Sequence, residues 1–113
     1  MRIISRINYL KNREKARFFI YKRLEYYSEI YGFKFNRVSI RNQKTRWGSC
    51  SKKGNLNFNY RILMLPEYLA NYIIVHELCH LKELNHSPKF WNLVAQIMPN
   101  YLERKKELKN LKI

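Results

Sequence analysis

One short segment holds the three histidines of this chain, His76, His80 and His86. The first two frame the pattern H-E-x-x-H, in which Glu77 follows the first histidine. Apolar residues before and after the pattern are spaced as in a helix, and residues four apart in a helix share a face. We therefore expect His76 and His80 to direct two imidazoles at one metal ion. Glu77 lies about 100° further round the helix, where it can hold a water molecule and accept its proton.

A third metal ligand must come from outside this helical face, and the sequence offers two candidates. His86 is the preferred one if the helix ends near Asn85, because asparagine tolerates the left-handed conformation that often terminates helices. Glu83 is the alternative, since it lies close to the same face as His80. Three protein ligands and one water are typical of catalytic zinc sites. The competing interpretation is a buried helix with merely hydrogen-bonded histidines, which a third histidine at this distance disfavours.

The length and composition predict a small protein without a membrane anchor. The 113 residues are expected to form a single domain, 1–113, with a modest core, and to act as a monomer. No apolar run approaches the roughly 20 residues of a membrane helix, and residues 1–10 do not resemble a signal peptide. The expected location is therefore the cytoplasm, where Cys50 and Cys79 would be free thiols, with Cys79 a core residue rather than a ligand.

The charge balance is strongly basic, with 23 lysines and arginines against 8 acidic residues and a net charge of +15. Such an excess favours attraction to phosphate-rich partners, either nucleic acid or nucleotides. The basic residues are scattered rather than gathered in one run, so an ordinary solvated surface is the competing interpretation.

Hydrophobic periodicity and helix-breaking residues predict an α+β fold. Proline and glycine mark most of the expected boundaries, and on the second strand Asn55, Asn57 and Asn59 are predicted to share a polar face. The third helix is expected to pack on the metal helix and to brace the loop that carries His86. The predicted order is a lead (1–10), a helix (11–31), a strand (33–41), a polar connection (42–54), a strand (55–63), the metal helix (66–84), a helix (89–98) and a basic terminal helix (101–113).

Four motifs occur in this order along the chain: R-W-G-S-C-S at 46–51, G-N-L at 54–56, V-H-E-L-C-H-L at 75–81 and N-H-S-P-K-F-W at 85–91. Together they closely resemble the YgjP-like metallopeptidase-domain family, which is related to the SprT-like and WLM zincins. The resemblance covers nearly all of 14–111. It implies a compact zincin-like fold in which a small antiparallel sheet packs beside the active-site helix. It also implies that His76, His80 and His86 bind zinc, one ion per chain, and that Glu77 is the catalytic acid and base.

The 46–51 motif has chemistry of its own. Arg46 carries a planar fork of donors suited to a carboxylate or phosphate, Trp47 can form the wall of a pocket, and Gly48 permits a close backbone approach. Beside a metal, Arg46 or Ser49 would stabilise developing negative charge. Equally, Trp47 can be a core residue and Arg46 a structural ion-pair partner. Asn57 is a candidate substrate contact, since zincins bind extended peptides at the sheet edge, although simple solvent exposure explains it as well.

Three functions are compatible with these features. The first is a zinc-dependent hydrolase, most simply a peptidase acting on peptides or proteins. The second keeps the same metal site but acts on nucleotides as a triphosphate pyrophosphatase, since metal-activated hydroxide can also attack phosphorus. The third, suggested by the SprT-like relatives, is a DNA-associated metal-binding module with little or no catalysis, which would bind DNA with a steep salt dependence.

Overall fold

The structure, a computed structural model, describes residues 2–111. These residues form four α-helices, three β-strands and one 3₁₀ helix, so the predicted α+β class is confirmed. Within the described residues, no helix combines the length and apolar character needed to cross a membrane. The order is α1 (Arg2–Tyr31), β1 (Arg37–Arg41), β2 (Gly48–Cys50), β3 (Asn55–Asn59), a 3₁₀ helix (Tyr60–Met64), α2 (Glu67–Cys79), α3 (Pro88–Ile97) and α4 (Tyr101–Lys109).

Helix α1 is longer than predicted, because it begins at Arg2 and incorporates the expected lead, of which only Met1 lies outside the described residues. Residues 2–10 contain no proline or glycine that would stop a helix. Tertiary contacts also hold this first part. The Tyr9 hydroxyl donates to the carbonyl oxygen of Ile40 at 2.9 Å, and the Tyr9 ring packs edge-on against Tyr60. Gly32 follows the helix with a φ of 72°, as expected for a glycine at a helix end.

The sheet is mixed, with the strand order β1-β3-β2. Strand β3 pairs in parallel with β1 and antiparallel with β2, so the expectation of an antiparallel sheet is wrong. The reason lies in the predicted polar connection, which contains β2 and turns back at Gly54 to pair with β3. Strand β1 is thereby left to join β3 from the other side. Both predicted strands are shorter in the structure, covering only Arg37–Arg41 and Asn55–Asn59.

Asn59 explains why the second strand stops where it does. Its side chain accepts a hydrogen bond from the backbone N–H of Arg61 at 3.0 Å and so caps the 3₁₀ helix. The same side chain donates to the carbonyl oxygens of Gln43 at 2.7 Å and Arg46 at 3.0 Å. Asn59 is fully buried, so the predicted exposed face with Asn55 and Asn57 is wrong at this position. The hydrogen bonds from Asn59 therefore connect the 42–47 loop to the sheet.

Replacing Asn59 with alanine is expected to lower the free energy of unfolding by about 2–4 kcal/mol, because two carbonyls lose their buried donor and the cap disappears. Urea denaturation followed by circular dichroism measures this loss. Asn57→Ala, at a half-buried position on the same strand, is the control and should cost less than about 1 kcal/mol. Equal losses in the two variants would show that the Asn59 contacts contribute little.

Helix α2 runs through the middle of the core and is buried on most sides. It is shorter than predicted: Pro66 lies just before its first residue, and the helix ends at Cys79 with His80 as its C-cap. Among the described residues, only glycines have a positive φ, so the proposed left-handed helix end at Asn85 is wrong. Both cysteines are free thiols, and Cys79 is a buried core residue, as predicted. Helix α4 ends at Lys109, before the predicted end at 113; residues 112–113 lie outside the described residues.

Candidate metal centre

The three histidines converge on one point. Helix α2 carries His76 and is capped by His80, and the turn that follows brings His86 back towards them. Their Nε2 atoms are separated by 3.2 Å (His76 and His80), 3.0 Å (His80 and His86) and 3.2 Å (His76 and His86). A tetrahedral zinc ion with Zn–N bonds of about 2.0–2.1 Å places two ligand nitrogens about 3.3 Å apart. The nitrogen triangle therefore has the size and donor chemistry that such an ion requires.

Neighbouring groups orient the imidazoles with their Nε2 atoms towards the shared point. His80 Nδ1 lies 3.0 Å from the carbonyl oxygen of Glu83, and a proton on that nitrogen leaves the Nε2 lone pair free for a metal. His76 Nδ1 lies 3.5 Å from the Tyr72 hydroxyl. From α3, Phe90 stacks on His80 and Trp91 stacks on His86, with ring centroids 4.3 and 5.6 Å apart. Helix α3 thus packs on the metal helix and braces His86, as predicted.

The Glu83 carboxylate is not part of this histidine cluster. Among residues 2–111, the group of histidine, cysteine and acidic side chains close enough to hold an ion consists of His76, His80 and His86, whose ligand atoms lie within 4.8 Å of one another. The Glu83 side chain instead lines a separate surface depression with Lys82 and Lys89. Its contribution to the histidine cluster is the backbone carbonyl that orients His80.

Burial sets the protonation states at the site. It lowers the pKa of His76 to about 3, with smaller effects from His80, His86 and Lys105, and it also lowers the pKa of His80. These imidazoles are therefore neutral at physiological pH, which is the form that binds metals. Burial raises the pKa of Glu77 to about 8, while Arg46 acts in the opposite direction. The Arg46 guanidinium therefore lies close enough to influence the carboxylate that follows the first histidine.

The Glu77 side chain lies against the backbone of strand β2 at Gly48, which has no side chain. A Cβ atom added at Gly48 would lie 3.1 Å from the Cγ of Glu77 and 3.1 Å from the carbonyl oxygen of Asn57. These separations are shorter than ordinary contacts, so a side chain at this position would displace its neighbours. Gly48 permits a close approach, as its sequence context indicated, and the structure identifies Glu77 as the group that approaches.

The other residues singled out in the 46–51 motif and on β3 have separate positions. Trp47 packs against the core and also lines the cavity beside the histidines. It is therefore both a core residue and part of a pocket wall, the two positions considered for it from the sequence. Ser49 Oγ accepts a hydrogen bond from Asn57 Nδ2 at 3.3 Å, and Asn57 Oδ1 accepts one from Arg41 at 3.2 Å. Ser49 and Asn57 thus bond to each other across the sheet and are not among the residues lining that cavity.

An open cavity of about 730 Å³ adjoins His76, Glu77 and His86. Aromatic side chains form much of its wall, and lysines from the 42–47 loop and from α4 line its rim. Apart from Trp47, the sequence pattern did not identify these lining residues, because tertiary packing, including that of α4 against α2 and α3, brings them to the site. They include Lys44, Trp47, Tyr72, Trp91, Lys105, Leu108 and Lys109.

Comparison with solved structures places the fold among metallopeptidases. The crystal structure of the metallopeptidase zymogen of Pyrococcus abyssi abylysin is 30% identical in sequence, with a TM-score of 0.70 over 79% of this chain and 90% of that chain. The metallopeptidase zymogen of Methanocaldococcus jannaschii jannalysin is 28% identical, with a TM-score of 0.63 over 80% of this chain and 91% of that chain.

Comparison with curated protein sequences gave no significant match. The model of one sequence family, described as YgjP-like, metallopeptidase domain, matches residues 5–111. That match spans almost the whole chain and includes the histidine cluster, Glu77 and the α4 wall of the cavity. The chain belongs to the YgjP-like metallopeptidase-domain family.

Proposed function

We propose that the chain hydrolyses peptide bonds at a zinc ion held by His76, His80 and His86, with Glu77 as general base. The observation that carries this proposal is the convergence of three imidazole nitrogens, 3.0–3.2 Å apart, on a cavity that Glu77 also lines. Three histidines leave one coordination position for water or substrate, as in catalytic zinc sites. Family membership supports a peptide as the substrate.

A bound zinc ion and Glu77 would have different tasks in the reaction. A zinc ion in this site would polarise the scissile carbonyl and acidify the attacking water. Glu77 takes the proton of that water and returns it to the leaving amine nitrogen. Its pKa, raised to about 8 by burial, suits a group that must both accept and release a proton near neutral pH.

The residues around Glu77 have proposed supporting roles. Arg46, whose charge acts on Glu77, would stabilise negative charge that develops during the reaction. Trp47 would form one wall of the substrate cleft. Strand β2 is an edge strand, to which an extended peptide can add through backbone hydrogen bonds. Ser49 and its partner Asn57 would hold that edge in register.

The proposal is tested by incubating metal-depleted protein with a mixed-sequence peptide library, with and without added zinc. Mass spectrometry should detect new peptide termini only in the zinc-loaded sample, and a chelator should abolish them. Nucleoside triphosphates are tested in parallel. Hydrolysis of triphosphates with no peptide cleavage would overturn the proposal in favour of a nucleotide phosphohydrolase.

Replacing Gly48 with alanine is expected to lower kcat for peptide cleavage by about tenfold or more. The added Cβ would crowd the Glu77 side chain, and small displacements of a catalytic group have large effects on rate. Zinc content should not change, because Glu77 is not a proposed ligand. Ser39→Ala, on strand β1 at the opposite edge of the sheet, is the control and should retain most of the activity. A Gly48→Ala variant with wild-type kcat would show that Glu77 tolerates this displacement.

A further inference from the structure

The rim of the active-site cavity is positively charged. Lys44 from the 42–47 loop and Lys105 and Lys109 from α4 all line it. Lys105 and Lys109 are four residues apart and therefore share one face of α4. All three are exposed, and in the part of the chain that the structure describes none of them forms an ion pair. Among the described residues that line the cavity, Glu77 is the one acidic residue.

Lys105 is held close to the histidines through Trp91. Its ammonium lies 4.3 Å from the centroid of the Trp91 ring. The same ring lies 5.6 Å from His86 and 5.8 Å from His76, measured between centroids. An extended peptide rises about 3.3 Å per residue. A peptide bound at the histidines therefore reaches this ammonium within about two to three residues of the bond to be cleaved.

The acidic residues of α4 lie away from the cavity that Lys105 and Lys109 line. Glu103 and Glu107 line a different surface depression, away from the active-site cavity, and Glu107 accepts a hydrogen bond from the Tyr68 hydroxyl at 2.7 Å. Tyr101 stacks on Trp91, with ring centroids 5.3 Å apart. These contacts fix the orientation of the helix, so the lysine face is directed to the cavity. The acidic residues of α4 do not neutralise it there.

We propose that Lys44, Lys105 and Lys109 bind a carboxylate of the peptide substrate, so that the protein prefers peptides with a negative charge within two to three residues of the scissile bond. The inference rests on the proposed peptidase function. A cavity lined by one sign of charge concentrates ligands of the opposite sign, and three ammonium groups that form no ion pair among the described residues are available to a substrate carboxylate. That carboxylate belongs either to an aspartate or glutamate side chain or to the peptide C-terminus.

The experiment uses the zinc-loaded protein and matched peptides that differ only near the cleavage site identified in the library screen. One series carries glutamate, glutamine or lysine there, and a second compares a free C-terminal carboxylate with an amide. The expected result is a kcat/KM about tenfold higher for the charged member of one series, as expected for a few ion pairs at a partly exposed site. The series that shows the preference identifies the source of the carboxylate.

Variants of α4 separate this local effect from the overall charge of the protein. Lys109→Glu and Lys105→Glu should each lower kcat/KM for the acidic peptide by about fivefold to tenfold. Lys106→Glu is the matched control, because it changes the net charge equally but lies on the other depression, and it should leave the preference intact. Lys109→Glu leaves the contact between Lys105 and Trp91 in place, so its effect does not depend on that packing.

Binding is measured separately from turnover. Fluorescence anisotropy of a labelled acidic peptide with the Glu77→Gln variant should show weaker binding when Lys109→Glu is added. Cleavage of all peptides at similar rates, with Lys109→Glu and Lys106→Glu indistinguishable, would overturn the carboxylate preference and leave the peptidase function standing. Cleavage of no peptide by zinc-loaded protein would instead overturn the peptidase function itself.

Discussion

Replacing Glu77 with glutamine is expected to lower kcat for peptide cleavage by about 10³-fold or more, while zinc content stays near the wild-type value. Glutamine keeps the size of the side chain but cannot accept the proton of the attacking water, and general-base catalysis is worth about 10²–10⁴-fold. Glu77 lies beside Gly48 and is only 7% exposed. Bulk water therefore has little access to replace its function.

The measurement combines peptide cleavage assays with elemental analysis of the same samples. Glu83→Gln is the matched control, since it makes the same chemical change in the same segment, but at a carboxylate that lines another depression. Its kcat should stay within about threefold of wild type. If Glu77→Gln retained turnover with its zinc bound, Glu77 would not be the general base. If it lost zinc, the carboxylate would have to be treated as a ligand.

Replacing His86 with alanine is expected to weaken zinc binding by more than about 100-fold. Loss of groups that merely orient ligands already costs about 10–100-fold in metal affinity, and loss of a ligand should cost more. His76 and His80 would remain, but two imidazoles leave the ion with half of its tetrahedral shell unfilled by protein. Wild-type protein purified without added metal should contain about one zinc per chain, and the variant much less.

Competition with a fluorescent chelator gives the affinities, and melting curves with and without zinc give an independent readout. Zinc should raise the Tm of the wild type, because an ion that binds only the folded state stabilises it, and should raise the Tm of His86→Ala much less. Glu83→Ala is the control. Zinc binding that survived in His86→Ala and was lost in Glu83→Ala would identify Glu83 as the third ligand.

The local patterns in the sequence predicted what depends on nearby residues. The spacing of His76 and His80 places them on one helical face, and Gly32 and Pro88 mark a helix end and a helix start, as observed. The predicted element boundaries are wrong where contacts with residues distant in the sequence determine the local structure. Residues 2–10 are held in α1 partly through Tyr9 and its contacts with the sheet, and the strand predicted to reach residue 63 stops at Asn59 because that side chain bonds to a loop.

The same division applies to the candidate site. By itself, the sequence predicted a metal-binding chemistry and two of its candidate ligands, because a periodicity of 3.6 residues relates positions within one helix. For the third ligand it favoured His86 without excluding Glu83, since both follow His80 closely in the sequence. Only the tertiary structure separates the two candidates, because the turn after His80 brings the His86 imidazole to the triangle, whereas Glu83 contributes its backbone carbonyl. The lysine-lined cavity likewise depends on the packing of α4 against Trp91, which no local pattern encodes.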